Sequence, residues 1–214
     1  MAKNPLAYRI GSVAGAAALA ATALLAGSGT AQAALPTPIA ASTARSYLSG
    51  MTATAETHAS TYDRDLFPTW ITISGTCDTR EYVLKRDGSS VVTDSSCKST
   101  SGNWSSVYDG VTTTNPSTFD IDHLVPLSEA WDSGAWAWTT AQRQGFANDV
   151  TRPQLLAVSA SANRSKGDDD PAEWLPRASY QCTYARAWVQ VKHYYGLSVD
   201  SAEKSALSSI LNGC

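Results

Sequence analysis

The chain has few of the residues and motifs that mark the commoner enzymes and metal sites. Its 214 residues include only three histidines and four cysteines, and no two cysteines have the Cys-x-x-Cys spacing of a structural zinc site. No Gly-x-Ser-x-Gly occurs, which argues against a serine hydrolase with a nucleophile elbow. Heptad runs, internal repeats and a second long apolar run are also missing from the sequence. Coiled coils, repeat proteins and multi-span membrane proteins are therefore not indicated.

An excess of basic residues is missing as well. The formal net charge is −3, and it becomes −5 without the first 33 residues, because these contain Lys3 and Arg9 and no acidic residue. This negative net charge argues against a protein that binds a polyanion tightly, since affinity for nucleic acid usually depends on Lys and Arg side chains that neutralise phosphates. A degradative enzyme needs turnover rather than tight binding and is compatible with an acidic charge.

The N-terminus has the pattern of a secretory signal. Two basic residues, Lys3 and Arg9, precede an uncharged Ala/Leu-rich stretch at 11–27, and Ala31-Gln32-Ala33 provides a cleavage site. We expect a signal peptide over 1–33, a flexible leader over 34–45 and one domain over 46–214. The protein is then secreted and extracellular, with no membrane contact in its mature form.

The four cysteines all follow the predicted signal. An even number in an oxidising compartment predicts two disulfides, for which three pairings exist. We favour Cys77–Cys97 and Cys182–Cys214, because each closes a local loop.

The pattern of apolar residues and caps predicts an α+β fold. Strands are expected within 117–127 and over 154–158, with a helix opening at Ser159 or Ser161 directly afterwards. The other predicted helices share a helical periodicity or a capping residue, and they cover residues 46–58, 79–86, 184–195 and 201–211.

Two segments combine residue types that suit phosphodiester chemistry. They are Asp120-Ile-Asp122-His123-Leu-Val-Pro126 and, forty residues on, Asn163-Arg-Ser-Lys166-Gly. Asp122 and Asn163 offer the hard oxygen ligands that suit Mg²⁺, with Mn²⁺ and Ca²⁺ as further candidates. Histidine is the only common side chain that ordinarily titrates near neutral pH, so His123 is the candidate general base and catalytic residue.

In position and in flanking residues these segments resemble the HNH (ββα-metal) endonuclease superfamily, and most closely its Asp-His…Asn variants. The runs DIDHLVPLSEAW, FANDVTRPQLLAVSASANRSKGDDDPAEWLP and CDTREYVLKRD are similar to those of secreted actinobacterial HNH nucleases. The resemblance implies a ββα-metal core over about 117–170 with flanking helices. It also implies a divalent cation and cleavage of DNA, with RNA as a second candidate substrate and little sequence specificity. We further expect a monomer.

The same resemblance implies a residue between the strands that orients the base. Asn148 has the expected residue type, whereas Gln154 has the expected spacing, nine residues before Asn163. Both assignments stay open. Candidate phosphate contacts are Arg164 and Lys166, which flank Asn163, and Arg80, which lies in the similar upstream run.

A cell-envelope binding module without catalysis is the alternative function. Its ligand would be a cell-wall polymer, recognised by exposed tryptophans. Trp131, Trp136 and Trp138 are candidates for stacking on nucleic-acid bases. We expect these three to pack in the core or to cover a loop instead. The alternative leaves Asp122, His123 and Asn163 unexplained, and a nuclease assay with and without EDTA distinguishes the two.

Overall fold

A computed structural model describes residues 1–2 and 35–214, so the predicted signal sequence lies almost wholly outside the described residues. The described part is a single mixed α+β domain. Its helices and strands, in chain order, are α1 (Ala41–Gly50), β1 (Thr72–Ser74), β2 (Cys77–Asp78), α2 (Thr79–Asp87), β3 (Ser89–Thr93), β4 (Ser99–Ser105), β5 (Thr112–Thr113), β6 (Phe119–His123), α3 (Leu127–Asp132), α4 (Thr140–Ala147), β7 (Leu155–Ser159), α5 (Ala160–Lys166), α6 (Ala178–Tyr195) and α7 (Ser201–Asn212).

The sheets are small, and the two-stranded sheet of β6 and β7 carries the motif residues. These strands pair antiparallel in one continuous register, from Phe119 opposite Ser159 to His123 opposite Leu155. Helix α5 follows β7 without a loop, because the Ser159 side chain accepts the backbone N–H of Ala162 at 3.1 Å and caps the helix. The two strands and the helix therefore follow one another in the predicted order, although α3 and α4 lie between the strands where a loop was expected.

Helix α6 is the centre of the main hydrophobic core. Tyr184 and Trp188 on this helix are fully buried, and the core also contains Leu48 of α1 and Leu207 of α7. The predicted periodicity of this helix is confirmed, although it begins six residues earlier, at Ala178. The helix ends at Gly196, whose φ of +66° lies in the left-handed region that favours glycine.

Both predicted disulfides are confirmed. Cys77–Cys97 links β2 to the turn before β4, with 5.0 Å between the Cα atoms. Cys182–Cys214 links α6 to the residue that follows α7, with 5.8 Å between the Cα atoms. Within the described residues no cysteine is free.

The first helix differs from its prediction. Residues 41–45, expected in a flexible leader, form the first half of α1, and residues 51–58, expected to be helical, do not. The reason is tertiary, because Ala44 and Leu48 are buried side by side in the core. In addition, Arg45 Nη1 donates to the carbonyl of Leu211 at 2.6 Å.

Two further helices, α3 and α4, lie in a part of the chain where no helix was predicted. Among the helices of residues 35–214, none combines the length and the apolar character that crossing a membrane would require.

Candidate active site

A buried ion pair between Asp122 and Lys166 lies at the centre of the candidate site. Lys166 Nζ is 2.9 Å from Asp122 Oδ1 and donates a second hydrogen bond to the carbonyl of His123, also at 2.9 Å. The hydroxyl of Tyr108 donates to Asp122 Oδ2 at 2.5 Å. Burial raises the pKa of the Asp122 carboxyl, while Lys166 and Tyr108 oppose that shift. The ammonium and the hydroxyl thus make it possible to bury this carboxylate.

His123 ends β6 and presents one nitrogen as a proton acceptor. Its Nε2 is 2.9 Å from the carbonyl oxygen of Ala147. A carbonyl can only accept a hydrogen bond, so Nε2 carries the proton and Nδ1 has the free lone pair. The ring stacks on Trp70, with 5.3 Å between centroids and 10° between planes. Burial lowers the pKa of His123 to about 3, so the ring is neutral at neutral pH.

Asn163 lies on α5 and faces β6. Its Nδ2 donates to Asp120 Oδ2 at 3.2 Å. No donor among residues 35–214 hydrogen-bonds to its Oδ1. Asp122, His123 and Asn163 line the same pocket, which has a volume of about 240 Å³. The structure thus brings together the three residues on which the predicted chemistry depends.

The oxygen atoms of Asp122 and Asn163 suit a hard divalent cation. Each Asp122 oxygen accepts one hydrogen bond and keeps a second lone pair, and Asn163 Oδ1 is free to bind. Two protein oxygens supplemented by water and substrate are a common way of holding Mg²⁺. These residues fit such an ion, with the Lys166 ammonium as its competitor for Asp122.

Two arginines add positive charge to the wall of this pocket. Arg164 follows Asn163 on α5, and Arg64 comes from a single 3-10 turn over Arg64–Leu66. Lys166 also lines the pocket, but its ammonium is directed to Asp122 and to the His123 carbonyl.

Arg80, the third predicted phosphate contact, lies outside the wall of this pocket. Its Nη2 donates to the carbonyl of Phe119 at 3.2 Å, and its Nε is 3.9 Å from the Glu81 carboxylate. The guanidinium of Arg80 therefore ties α2 to β6 beside the site.

Asn148 does not touch His123 through its side chain. Its Oδ1 accepts from the hydroxyl of Thr79 at 2.7 Å, and its Nδ2 donates to the carbonyl of Pro68 at 2.7 Å. These bonds fix the peptide group between Ala147 and Asn148, and the carbonyl of that group holds His123 Nε2. An influence of Asn148 on the histidine would be indirect.

Gln154 anchors the chain that leaves β6. Its Oε1 accepts from the backbone N–H of Val125 at 3.1 Å, and its Nε2 donates to the carbonyl of the same residue at 2.8 Å. The side chain is fully buried. Gln154 thus fixes the backbone two residues after His123, and which of the two amides orients the base stays a prediction.

Arg64, Trp70 and Tyr108 contact the site but were not among the predicted site residues. The mixture of aromatic residues and paired charges from Tyr62 to Trp70 predicts a segment that packs against the core. It does so through Phe67, which is 1% exposed, and it also delivers Arg64 and Trp70 to the site. Nothing in the sequence around Tyr108, which lies in an irregular hairpin region, indicates that its side chain reaches the site.

A larger cavity of about 530 Å³ lies elsewhere and is lined by Trp138, Asp149, Arg152 and Tyr194 among others. Its arginine is already paired with Asp149 at 3.0 Å. The cavity does not include His123 or the predicted metal ligands, so we place the chemistry in the smaller pocket.

Comparison with known proteins identifies a family to which the chain is similar. Residues 78–210 match the family model for the C-terminal domain of GmrSD restriction endonucleases, and they contain Asp122, His123 and Asn163. A protein of Arthroderma benhamiae described as an uncharacterized secreted protein is 58% identical over 184 residues, which cover 84% of this chain and 90% of that protein. No solved structure matches the chain.

The similarity to a secreted protein and the two disulfides agree with each other, since disulfides persist in oxidising compartments. The protein is secreted and extracellular. From the match over residues 78–210, the chain belongs to the family of the C-terminal domain of GmrSD restriction endonucleases.

Proposed function

We propose that the chain is a metal-dependent endonuclease of the HNH type that hydrolyses phosphodiester bonds of DNA with little dependence on base sequence. His123 is the general base, and Asp122 and Asn163 hold a divalent cation such as Mg²⁺ or Mn²⁺. The observation that carries the proposal is the convergence of these three side chains on one pocket, with an unprotonated nitrogen on the histidine. The family match supports the same class of reaction, because the family is named for restriction endonucleases.

The position of the histidine defines the proton transfer. Ala147 holds Nε2–H, so Nδ1 is the atom that takes a proton from a water molecule in the pocket. The water oxygen forms a bond to phosphorus while the bond from phosphorus to the leaving 3′ oxygen breaks, and that oxygen takes a proton from solvent. General-base catalysis of this kind contributes roughly 10²- to 10⁴-fold in rate.

The low pKa of His123 has to rise for efficient proton transfer. Burial is its main cause, and the positive charges of Arg64 and Lys166 add to it. A phosphate group bound in the pocket brings negative charge to the same place. We expect substrate binding to raise this pKa toward the range in which a base is effective.

The other side chains position the reacting groups. When bound, a divalent cation would stabilise the negative charge that develops on the phosphate and on the leaving oxygen. Trp70 and Ala147 fix the imidazole ring, and Gln154 fixes the backbone that follows it. Groups held in this way lose little freedom when the substrate binds.

Weak sequence specificity follows from the kind of contact that the pocket offers. Arg64 and Arg164 carry guanidinium groups, which suit phosphate oxygens. Contacts to phosphates position a nucleic acid without reading its bases.

Cleavage of plasmid DNA and of RNA by the purified protein tests the proposal. We expect DNA cleavage with Mg²⁺ or Mn²⁺, none in EDTA, and a loss of at least about 100-fold in His123→Ala. His193→Ala is the matched control, because His193 is exposed and stacks on Tyr47 away from the pocket. Cleavage that persists in EDTA, or a His123→Ala variant as active as the control, would contradict the mechanism. A protein that cleaves neither substrate but binds cell-wall polymer would be the envelope module instead.

A further inference from the structure

Arg64 belongs to a segment that precedes the family-matched residues and forms part of the candidate site. The match begins at residue 78, whereas the pocket that contains Asp122 and His123 is also lined by Arg64. Trp70 of the same segment stacks on the imidazole of His123. The region before residue 78 therefore contributes two side chains to the surroundings of the base.

This segment is firmly anchored on the domain. Phe67, three residues after Arg64, is buried and packs with its ring against Trp131 and Phe146. Asn148 holds the next residues, since Nδ2 donates to the carbonyl of Pro68 at 2.7 Å and Oδ1 accepts the backbone N–H of Ile71 at 3.2 Å. The backbone of Arg64 thus has a defined position, although its side chain is exposed.

The guanidinium of Arg64 lies beside the Tyr62 hydroxyl and keeps further N–H donors for a ligand. Within residues 35–214 it takes part in no salt bridge. The neighbouring cation Lys166 is bonded to Asp122, and Arg80 is bonded to Phe119. An arginine with five donors in a planar fork, placed at the wall of a pocket beside a general base, suits the oxygens of a phosphate.

We propose that Arg64 binds a non-bridging phosphate oxygen of the nucleic-acid backbone next to His123. The substrate site then extends beyond the region that defines the family. This inference rests on the proposed nuclease function and adds to it a substrate-binding residue. The contact reads charge and shape but not base identity.

The test compares Arg64→Ala, Arg64→Lys and Lys85→Ala. Lys85 is exposed on α2 and does not line the pocket, so its removal changes the net charge equally and leaves the site intact. One readout is steady-state cleavage of duplex DNA with Mg²⁺. The other is the fluorescence anisotropy of a labelled duplex oligonucleotide in EDTA over a range of salt concentrations.

We expect Arg64→Ala to lower kcat/KM about 10- to 100-fold, the range for losing a hydrogen bond to a charged group. The slope of log binding constant against log salt concentration should become shallower by about 0.9, the change for one lost phosphate contact. Arg64→Lys should keep the slope and recover only part of the rate, because an ammonium lacks the planar fork. Lys85→Ala should resemble the wild type in both readouts.

The wild type cleaving DNA is the condition for judging Arg64. If kcat/KM of Arg64→Ala then stays within about twofold of that of Lys85→Ala, and the two variants have the same salt slope, the loss is far smaller than that expected for a hydrogen bond to phosphate, and this inference alone is overturned. If the wild type neither cleaves nor binds the oligonucleotide, the proposed nuclease function fails and this inference fails with it.

Discussion

Replacing Lys166 with Met tests the buried ion pair and the metal site together. The substitution keeps an unbranched side chain, one atom shorter, and removes the ammonium that donates to Asp122 and to the His123 carbonyl. Lys166 is 1% exposed and Asp122 is 5% exposed, so water cannot readily replace the lost charge. Removing one partner of a buried pair costs about 3–5 kcal/mol of unfolding free energy. We expect a loss of this size in the metal-free protein.

A divalent cation should recover part of that loss. If Asp122 holds the cation as proposed, the cation in the wild type would have to compete with the Lys166 ammonium, whereas in Lys166→Met the carboxylate is free of that competitor. A ligand at about 100 times its dissociation constant stabilises the folded state by about 2.7 kcal/mol. Mn²⁺ should therefore stabilise Lys166→Met more than it stabilises the wild type.

Urea denaturation in EDTA and in saturating Mn²⁺, followed by tryptophan fluorescence, measures both effects. The double variant Lys166→Met/Asp122→Asn is the control, because it removes the unpaired charge and the metal ligand together. It should regain much of the stability and respond little to Mn²⁺. A loss below about 1 kcal/mol in Lys166→Met would refute the reasoning on the buried pair. Equal gains from Mn²⁺ in Lys166→Met and the wild type would refute the proposed competition at Asp122.

Three further predictions concern the metal ligands, the base and the second disulfide. Asp122→Ala and Asn163→Ala should each weaken Mn²⁺ binding in calorimetric titration, whereas His123→Ala should leave it nearly unchanged; the opposite pattern would make the histidine a ligand. Burial lowers the pKa of His123 to about 3 from an ordinary 6.5, so its contribution to stability is complete above pH 6.5 and is lost as the pH falls toward 3. When the pH is lowered from 6.5 to 5, this residue should reduce the unfolding free energy of the metal-free protein by about 2 kcal/mol. Denaturant titrations at the two pH values should show that His123→Gln loses correspondingly less unfolding free energy than the wild type. Replacing both Cys182 and Cys214, which are separated by 32 positions, with Ser should lower the unfolding free energy by about 3–4 kcal/mol in denaturant titrations, and an unchanged midpoint would contradict that estimate.

Elements with a local signal could be predicted from the sequence. Asp78 caps α2 by accepting the backbone N–H of Glu81 at 2.8 Å, and Asp200 with Glu203 forms the capping box of α7. Both helices begin where those residues indicate. Helix α4 has a comparable signal, because Thr139 and Gln142 form a capping box. That start could have been predicted from the sequence.

Elements that depend on tertiary contacts could not be predicted. The bounds of α1 follow from burial of Ala44 and Leu48 in a core formed largely by distant residues. Arg64 and Trp70 reach the site because Phe67 is inserted into that core, which no local pattern indicates. The sequence shows the residue types of such a segment but not the partner on which it folds.

The candidate site falls between these two cases. Asp122 and His123 end β6 and Asn163 lies on α5, the helix after β7, and the motif predicted that these residues would meet. Lys166 is three residues after Asn163 and therefore on the same face of α5. That spacing was sufficient to bring its ammonium toward the site. The ion pair with Asp122 depends on the depth of burial, which the spacing does not give.

The bridge between Cys182 and Cys214 makes the family-matched region an unsafe unit for expression by itself. A fragment of residues 78–210 would keep Cys182 on α6 but lose its partner Cys214, and it would also keep Cys97 but lose its partner Cys77. It would also lose α1, whose removal leaves part of the apolar surface of α6 uncovered. An unpaired thiol beside exposed apolar surface favours covalent cross-linking between copies in an oxidising medium. Such a fragment should run as disulfide-linked oligomers on a non-reducing gel, whereas the chain from Leu35 to Cys214 should not.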